Sequence, residues 1–586
     1  MSASSPVSGP ASDKNGAPDL SIIKGLSACL FDAALPGEIE GLDAAARTAI
    51  TGYMADVARI RAPDMPMIQI DPLSEGGREK RLRLAIIGED KPFLVDSTAA
   101  AVTAAGIDIH RLLHPIVDVD RDADGRLLAV TEVTTGVASA PGTIRESMIY
   151  MEIDQLGAKA RATLLDSLAV VLNDVRCAVA DWQAMLGLLK SSIRALADNP
   201  PPIAPHRTAE AMAFLEWLAA DNFTLLGARQ YRLDGDLDDP AMQPASDVAL
   251  GILRDPDYPV WTGIRGASDT PRALKALLAS AEPLLITRAG AVVNVHRRVN
   301  GDLIAVKGFD RQGRVVSETR FIGLYTSAAL GTSPRQVPLL RRKVGEIIDA
   351  LGYGESGHTG KALVHVLESF PRMELFEASP AELQAMALGL LSLLDRPRPK
   401  LFARADPFGR FVSVLVFVPR DAYTSRLREA VGQMLAQELQ GRIARYEVEL
   451  RAEGLARVHY VVDVADAAGF GAGQEASLDR RLSQLVRGWE EDLEVALAEV
   501  AGPARATRLA ISHGRAFSAS YRAQHQPAEA AADILALSGL SDDSDRAVRL
   551  LPGRHSGQVR LKIYRLGRII PLSEAVPVLE NFGLKV

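Results

Sequence analysis

The chain has 586 residues, 47% hydrophobic and 24% charged, with a formal net charge of −7; that length alone suggests roughly three to five domains. The acidic balance argues against nonspecific nucleic-acid binding, and the longest apolar run, Ala385 to Leu394, is too short to span a bilayer, so neither nucleic acid nor membrane is expected as a partner. Cys29 and Cys177 lie far apart, which excludes a disulfide framework or a CxxC knuckle and fits a reducing, cytoplasmic setting.

Residues 1–20 are rich in Ser, Ala, Pro, Gly and Asp and lack the basic and apolar regions of a signal peptide, so disorder is expected there. Residues 21–80 read as a helical N-terminal segment, Ala-rich and amphipathic to about residue 62. Residues 81–175 form a clear α+β unit. Leu82, Leu84 and Ile86 alternate as in a strand, and the next segment turns into a helix with Asp90 placed to cap it and Pro92 in its first turn. Gly106 ends that helix. A strand is expected over Ile107 to Val119, a polar turn over Asp120 to Gly125, and a hairpin partner over Leu127 to Thr135. A fourth strand, Met148 to Ile153, and a helix over 157–175 complete the unit.

Residues 205–330 read as a second α+β module. It opens with a helix over Ala209 to Ala220 and a strand at Phe223 to Gly227. Short alternating strands follow at Pro283 to Thr287, Ala291 to His296, Leu303 to Val306 and Arg314 to Tyr325, suggesting one antiparallel sheet. Residues 335–395 read as a helical connector. Residues 399–464 form a further α+β module, in which Val412, Val414, Val416 and Val418 face one way and Phe411, Leu415 and Phe417 the other, as in a central strand. Asp406-Pro407-Phe408-Gly409 is a turn signal before it. Residues 475–540 read as helical.

The last segment, 556–586, starts a module without finishing it. Gln558 to Leu566 alternates apolar and basic side chains, Ser573 can cap a helix over Glu574 to Phe582, Gly583 supplies a left-handed stop, and Leu584-Lys585-Val586 begins a second strand. Strand, Pro-containing segment, helix, then Gly also describes Pro92 to Gly106, so an internal repeat is expected. A β-α-β start cannot bury its own sheet face. Either another chain covers it, or the polypeptide is the front part of a longer one; the second reading is adopted.

Motifs for chemistry are few. Gly352-Tyr353-Gly354-Glu355-Ser356-Gly357 matches GxGxxG, but Arg341 to Leu351 before it reads as a helix rather than the strand a dinucleotide site needs. Gly357-His358-Thr359-Gly360-Lys361 fails as a P-loop, because Glu355 stands at the first glycine position and Ala362 at the hydroxyl position. His110 and His114 lack further ligands at metal spacing, so no metal is expected. Arg420 and Asp421 sit at a strand-to-helix junction, where Asp421 would cap the helix with Arg420 pairing locally, or else Arg420 would meet an anion or another domain. The loop Asp90-Lys91-Pro92-Phe93-Leu94 with Asp96 is the best ligand candidate: backbone N–H groups at a helix N-terminus suit a carboxylate, and Asp90 or Asp96 could meet an ammonium.

Asp90-Lys91-Pro92-Phe93-Leu94-Val95-Asp96-Ser97 with Gly106-Ile107 resembles the loop of ACT amino-acid-sensing domains. Together with Phe214-Leu215-Glu216-Trp217-Leu218, Asn222 to Gly227, Ser333-Pro334-Arg335-Gln336-Val337-Pro338 and Phe417-Val418-Pro419-Arg420-Asp421, it looks like the large bacterial NAD-specific glutamate dehydrogenases, from about residue 80 to the end. The resemblance implies a multidomain α+β chain of ACT-like (ferredoxin-like βαββαβ) modules, a PAS-like antiparallel sheet and helical connectors. It further implies an N-terminal regulatory and oligomerisation segment of an enzyme that deaminates L-glutamate oxidatively with NAD, catalysis residing in the remainder of that polypeptide. Neither catalytic residues nor bound NAD are then expected here; the partners would be that catalytic region, further copies in a homo-oligomer, and an amino-acid effector. The rival expectation is a free-standing amino-acid-binding ACT regulator with no enzyme attached.

Overall fold

The computed structural model describes residues 19–583, leaving out 33, 64, 74–80, 134–141, 235–240, 261–277, 354–356, 395, 452–453, 468, 487–488, 515, 553–557 and 568–569. The expected disorder at 1–20 and the strand at Leu584 to Val586 thus fall almost wholly outside the described residues. Two compact units, divided after Ser392, make up the chain.

The first unit opens with helices α1 (Leu20–Phe31) and α2 (Ala44–Ala58). Strand β1 (Met67–Pro72) follows, where the sequence suggested only helix. Then come β2 (Arg81–Glu89), α3 (Leu94–Ala104), β3 (Ile109–Leu113), β4 (Ile116–Arg121), β5 (Leu127–Glu132), β6 (Ile144–Asp154) and α4 (Ala158–Ala180). The strand expected over Ile107 to Val119 is broken at Pro115, whose carbonyl accepts from Met148 N–H. Both halves pair with β6, giving the order β1-β2-β6-β4-β5 with β3 also on β6. Every pairing is antiparallel. This is a ferredoxin-like sheet in which the closing outer strand, β1, comes first in the chain instead of last.

Both faces of this sheet are covered, which explains why β2 and β6 are apolar on both sides. Ala85, Ile87, Met148 and Tyr150 pack under α1 and α2. Leu84, Ile86, Ile149 and Met151 pack under α3 and α4, in a core that continues through α4 into Leu226, Leu303 and Ile322 of the next sheet. At the edge of the first face lies a buried charge cluster. Glu146, fully buried, accepts from Arg61 Nε at 2.8 Å and from Arg121 Nε and Nη2 at 2.7 Å each. The spare guanidinium N–H groups donate to the carbonyls of Ala58, Ala62, Met65 and Gly125. Gly125, at φ +77°, could carry no side chain, because a Cβ there would stand 2.0 Å from the Arg61 carbonyl oxygen.

Helices α5 (Trp182–Asp198) and α6 (Pro205–Trp217) lead to the second sheet: β7 (Phe223–Asp234), β8 (Ala241–Gly251), β9 (Leu284–Val292), β10 (Asn300–Phe309) and β11 (Val315–Tyr325). Its order is β8-β7-β11-β10-β9, again antiparallel. Strand β8 was not anticipated, and the two strands expected at 283–287 and 291–296 are one, β9. Helices α7 (Leu340–Leu351), α8 (His358–Glu368) and α9 (Pro380–Leu394) follow, as the sequence suggested. Gly352 is the left-handed C-cap of α7 and Gly357 the N-cap of α8, so the GxGxxG stretch joins two helices; 354–356 lie outside the described residues. Short helices at Pro36–Ile39, Ser327–Gly331, Arg372–Glu377 and Ala519–Gln524, a π-helical turn at Leu218–Asn222 and a 3-10 turn at Ile252–Arg254 complete the helical inventory of the described residues outside those named here and below.

The second unit begins with β12 (Lys400–Ala405), β13 (Phe411–Pro419), α10 (Ser425–Glu438), β14 (Arg442–Leu450), β15 (Leu455–Asp463) and α11 (Ala472–Val486). The order β12-β13-β15-β14 repeats the permuted plan of the first sheet. Strand β13 is central and buried on both faces, as its doubly apolar pattern requires. Helices α12 (Trp489–Ala501), α13 (Pro503–His513) and α14 (Pro527–Ser538) share a small core of Leu493, Leu497, Ala506, Ala530 and Ile534.

The chain then forms β16 (Ala547–Pro552), β17 (Val559–Tyr564) and α15 (Leu572–Asn581). The sequence missed β16, which precedes the expected strand and helix, so the described part of the module opens β-β-α, the order in which β1-β2-α3 and β12-β13-α10 also begin; the second strand expected at 584–586 lies outside the described residues. The expected repeat extends to the helix exits: Gly106 N–H donates to Thr103 O and Gly583 N–H to Glu580 O, at φ +74° and +78°.

Candidate functional site

The loop between β2 and α3 differs from the sequence expectation in how its helix starts. Asp90 does not cap α3. The N-cap is Phe93, at φ 72° and ψ 1°, and it makes no side-chain capping hydrogen bond. Pro92 stands before the helix rather than in its first turn, exposed. Asp90 N–H donates to Arg145 O, and Lys91 Nζ pairs with Glu89 at 2.5 Å. The orphan donors are therefore those of Leu94, Val95 and Asp96, three residues later than the loop itself suggested. Asp96 is exposed in the first turn, where a carboxylate complements the helix dipole.

A left-handed aromatic residue costs about 1–3 kcal/mol of backbone strain and must be held by its surroundings. Ser97 does part of this, because its N–H and its hydroxyl both donate to Phe93 O, at 3.0 and 2.6 Å. The other part comes from His296, 200 residues from Asp96 in sequence. His296 N–H donates to Ser97 Oγ at 2.8 Å, its ring lies 5.2 Å from the Phe93 ring, and its Nδ1 is 3.1 Å from Asp96 Oδ2. His296 is itself at φ 66°. Two strained residues, one beside each sheet, thus brace one another across a helix N-terminus. No sequence signal pointed to His296.

The equivalent loop of the second unit is built differently. Asp421 does not cap α10; Thr424 does, its hydroxyl accepting from Leu427 N–H at 3.0 Å. Arg420 and Asp421 lie exposed in the turn before it, and Arg420 N–H donates to Gly454 O. In the third repeat Pro571, rather than Ser573, is the N-cap of α15, without a capping side chain. Of the other sequence candidates, His110 Nε2 is 2.8 Å from Asp154 Oδ1, and His114 Nε2 is 2.7 Å from Ser147 Oγ. Burial pushes the His114 imidazole below its ordinary pKa. The described residues contain no group of three or more His, Cys, Asp or Glu able to hold a metal. No helix among them is long and apolar enough to cross a membrane.

Three repeats that open β-β-α, separated by helical motifs and a five-stranded antiparallel sheet, define a multidomain chain of ACT-type modules. Family models match it in chain order: the glutamate dehydrogenase ACT1 domain over residues 26–168, helical motif 1 over 337–396, ACT2 over 400–490, helical motif 2 over 496–540 and ACT3 over 547–586. The NAD-specific glutamate dehydrogenase of Halomonas elongata is 33% identical over 537 residues, 90% of this chain and 32% of that protein. Those of Pseudomonas aeruginosa and Mycobacterium tuberculosis are 29% and 27% identical, over 89% and 86% of this chain. The chain belongs to this glutamate dehydrogenase family, and it spans about a third of the length of these relatives.

Proposed function

We propose that the chain is the regulatory and oligomerisation segment of an NAD-dependent enzyme that converts L-glutamate to 2-oxoglutarate, and that it senses an amino acid at the start of α3. The observation that carries the sensing role is the uncapped first turn of α3, with an exposed carboxylate at its mouth. The donors of Leu94, Val95 and Asp96 suit the effector's carboxylate, and Asp96 suits its ammonium. The bracing by His296 links such binding to the neighbouring sheet, whose 2-1-5-4-3 strand order supports a PAS-like reading. Catalysis, assembly into a homo-oligomer and a cytoplasmic setting are part of the same proposal; the free thiols Cys29 and Cys177 suit the last.

Asp96→Ala in the full-length enzyme is expected to flatten the response of turnover to amino acids while leaving unregulated turnover nearly unchanged. Its cost to folding should be on the order of 1 kcal/mol. Turnover against an amino-acid panel checks this, and superimposable response curves for wild type and variant would remove the site.

Residues 1–586 alone are expected neither to bind NAD tightly nor to reduce it with glutamate. All strand pairings of the described residues are antiparallel, whereas a dinucleotide fold needs parallel βαβ units. Micromolar NAD binding in calorimetry would overturn this.

A further inference from the structure

One face of the second sheet carries buried charge that the proposal above leaves unused. Arg229, Lys307, Glu318 and Arg320 are 7, 2, 1 and 5% exposed. The register sets Arg320 opposite Arg229, and Glu318 opposite both Tyr231 and Lys307. Cross-strand partners share a face, so all five side chains stand together.

Three cations thus meet one carboxylate. Glu318 Oε1 accepts from Arg320 Nε, and the Arg320 guanidinium lies over the Tyr231 ring at 4.1 Å from its centroid. Lys307 Nζ donates to Ser280 O at 2.8 Å and Ser280 Oγ at 3.1 Å. Burial pulls this ammonium down to about 8, against the opposing pull of Glu318 and Glu282.

Two groups are left over. The Arg229 side chain makes a single hydrogen bond among the described residues, 3.4 Å to Pro256 O, and no carboxylate of those residues pairs with it. Among the described residues, Glu318 Oε2 is buried with no hydrogen-bond partner. A buried guanidinium without a counter-ion and a buried carboxylate oxygen without a donor are both costly. They do not satisfy each other: as diagonal cross-strand neighbours their Cα atoms stand about 7–8 Å apart, and no ion pair joins them. A small molecule with an anionic and a cationic end would complement both groups.

We propose that this face of the second sheet binds an α-amino acid, its carboxylate on Arg229 and its ammonium on Glu318 Oε2. Both groups hang from one carbon of such a ligand, which matches one guanidinium and one carboxylate carried by diagonal cross-strand neighbours. Tyr231 and Arg320 share this face with them, and Lys307 adds positive charge opposite Glu318. The site is separate from the α3 N-terminus and stands whether or not that loop binds anything.

The test is calorimetry on the 1–586 chain with each common L-amino acid. Any that binds is followed by its des-amino carboxylic acid and its decarboxylated amine. At least one amino acid should bind, and loss of either end group should weaken it at least tenfold. Arg229→Met should abolish that binding without lowering the melting temperature, because it removes an unpaired buried charge. Glu318→Gln should weaken the amino acid at least tenfold and leave the des-amino acid unaffected. Should Arg229→Met fail to fold, the analogue series on the wild-type chain decides alone. Absence of amino-acid binding by the wild type would overturn the proposal. So would binding that survives both substitutions, or that Asp96→Ala abolishes and these two leave intact.

Discussion

Glu146→Ala should destabilise the first unit by about 3–5 kcal/mol, as expected when one partner of a buried ionic cluster is removed. Arg61 and Arg121 are 4% and 3% exposed at the side chain and share this single carboxylate. Without it two guanidinium groups face each other out of water, held only by backbone carbonyls. Arg121 also ties the end of α2 to the β4–β5 turn through the carbonyls of Ala58 and Gly125. The loss should therefore reach α2 as well as the sheet edge. Urea denaturation of the chain reads it, with Glu89→Ala as control, since that carboxylate is half exposed and its pair with Lys91 should contribute at most about 1 kcal/mol. A cost for Glu146→Ala no larger than the control's would mean the cluster is not a determinant of the fold.

Asp533→Ala should be of similar size, about 3–5 kcal/mol, and should act on the last hairpin. Asp533, on α14, is 4% exposed and accepts from Tyr521 OH, Tyr564 OH, Arg549 Nη1 and Lys562 Nζ. One turn earlier, Glu529 meets Arg560 and Lys562. Burial alone would raise the Glu529 carboxyl, but hydrogen bonds from Lys562, Arg560 and His525 outweigh it and hold the group at about 2. A depressed folded-state pKa gives stability that is complete above the ordinary value of 4.5 and drains as pH falls from there towards 2. Backbone amides of Val559–Tyr564 should thus lose hydrogen-exchange protection in Asp533→Ala at neutral pH, and in the wild type at acid pH. Protection unchanged in both would show that the hairpin is held by something other than these carboxylates.

Much of the architecture was legible where side-chain period and burial agree. Strand β13 reads as central because both of its faces are apolar, and it is. The two glycine exits, Gly106 and Gly583, were readable because a left-handed turn after a helix favours Gly. Strands β1 and β16 were missed: each is six residues with a proline at its end, too short for a clear period. The helix caps went wrong for a different reason. Asp90, Asp421 and Ser573 have capping side chains, but a cap belongs to the residue where the backbone turns helical, and those are Phe93, Thr424 and Pro571. The candidate site was half visible: the loop could be read, whereas His296 could not, since only tertiary structure brings it to Asp96. Arg229 and Glu318 were invisible too, because a charged residue in a strand ordinarily signals the solvent face.

The permuted strand order has a bearing on how the chain is made. In each completed module the outer strand that closes the sheet is already present when its central partner is synthesised: β1 pairs with β2 from Pro72 opposite Leu82 outward, and β12 with β13 from Ala405 opposite Val412. The first ladder closes a short loop, which is entropically cheap and fast. A nascent module can therefore lay down its hairpin and cover it with a helix before its remaining strands leave the ribosome. The last element added is a helix and not a strand, so successive modules can be threaded one after another with little opportunity to exchange strands between neighbours.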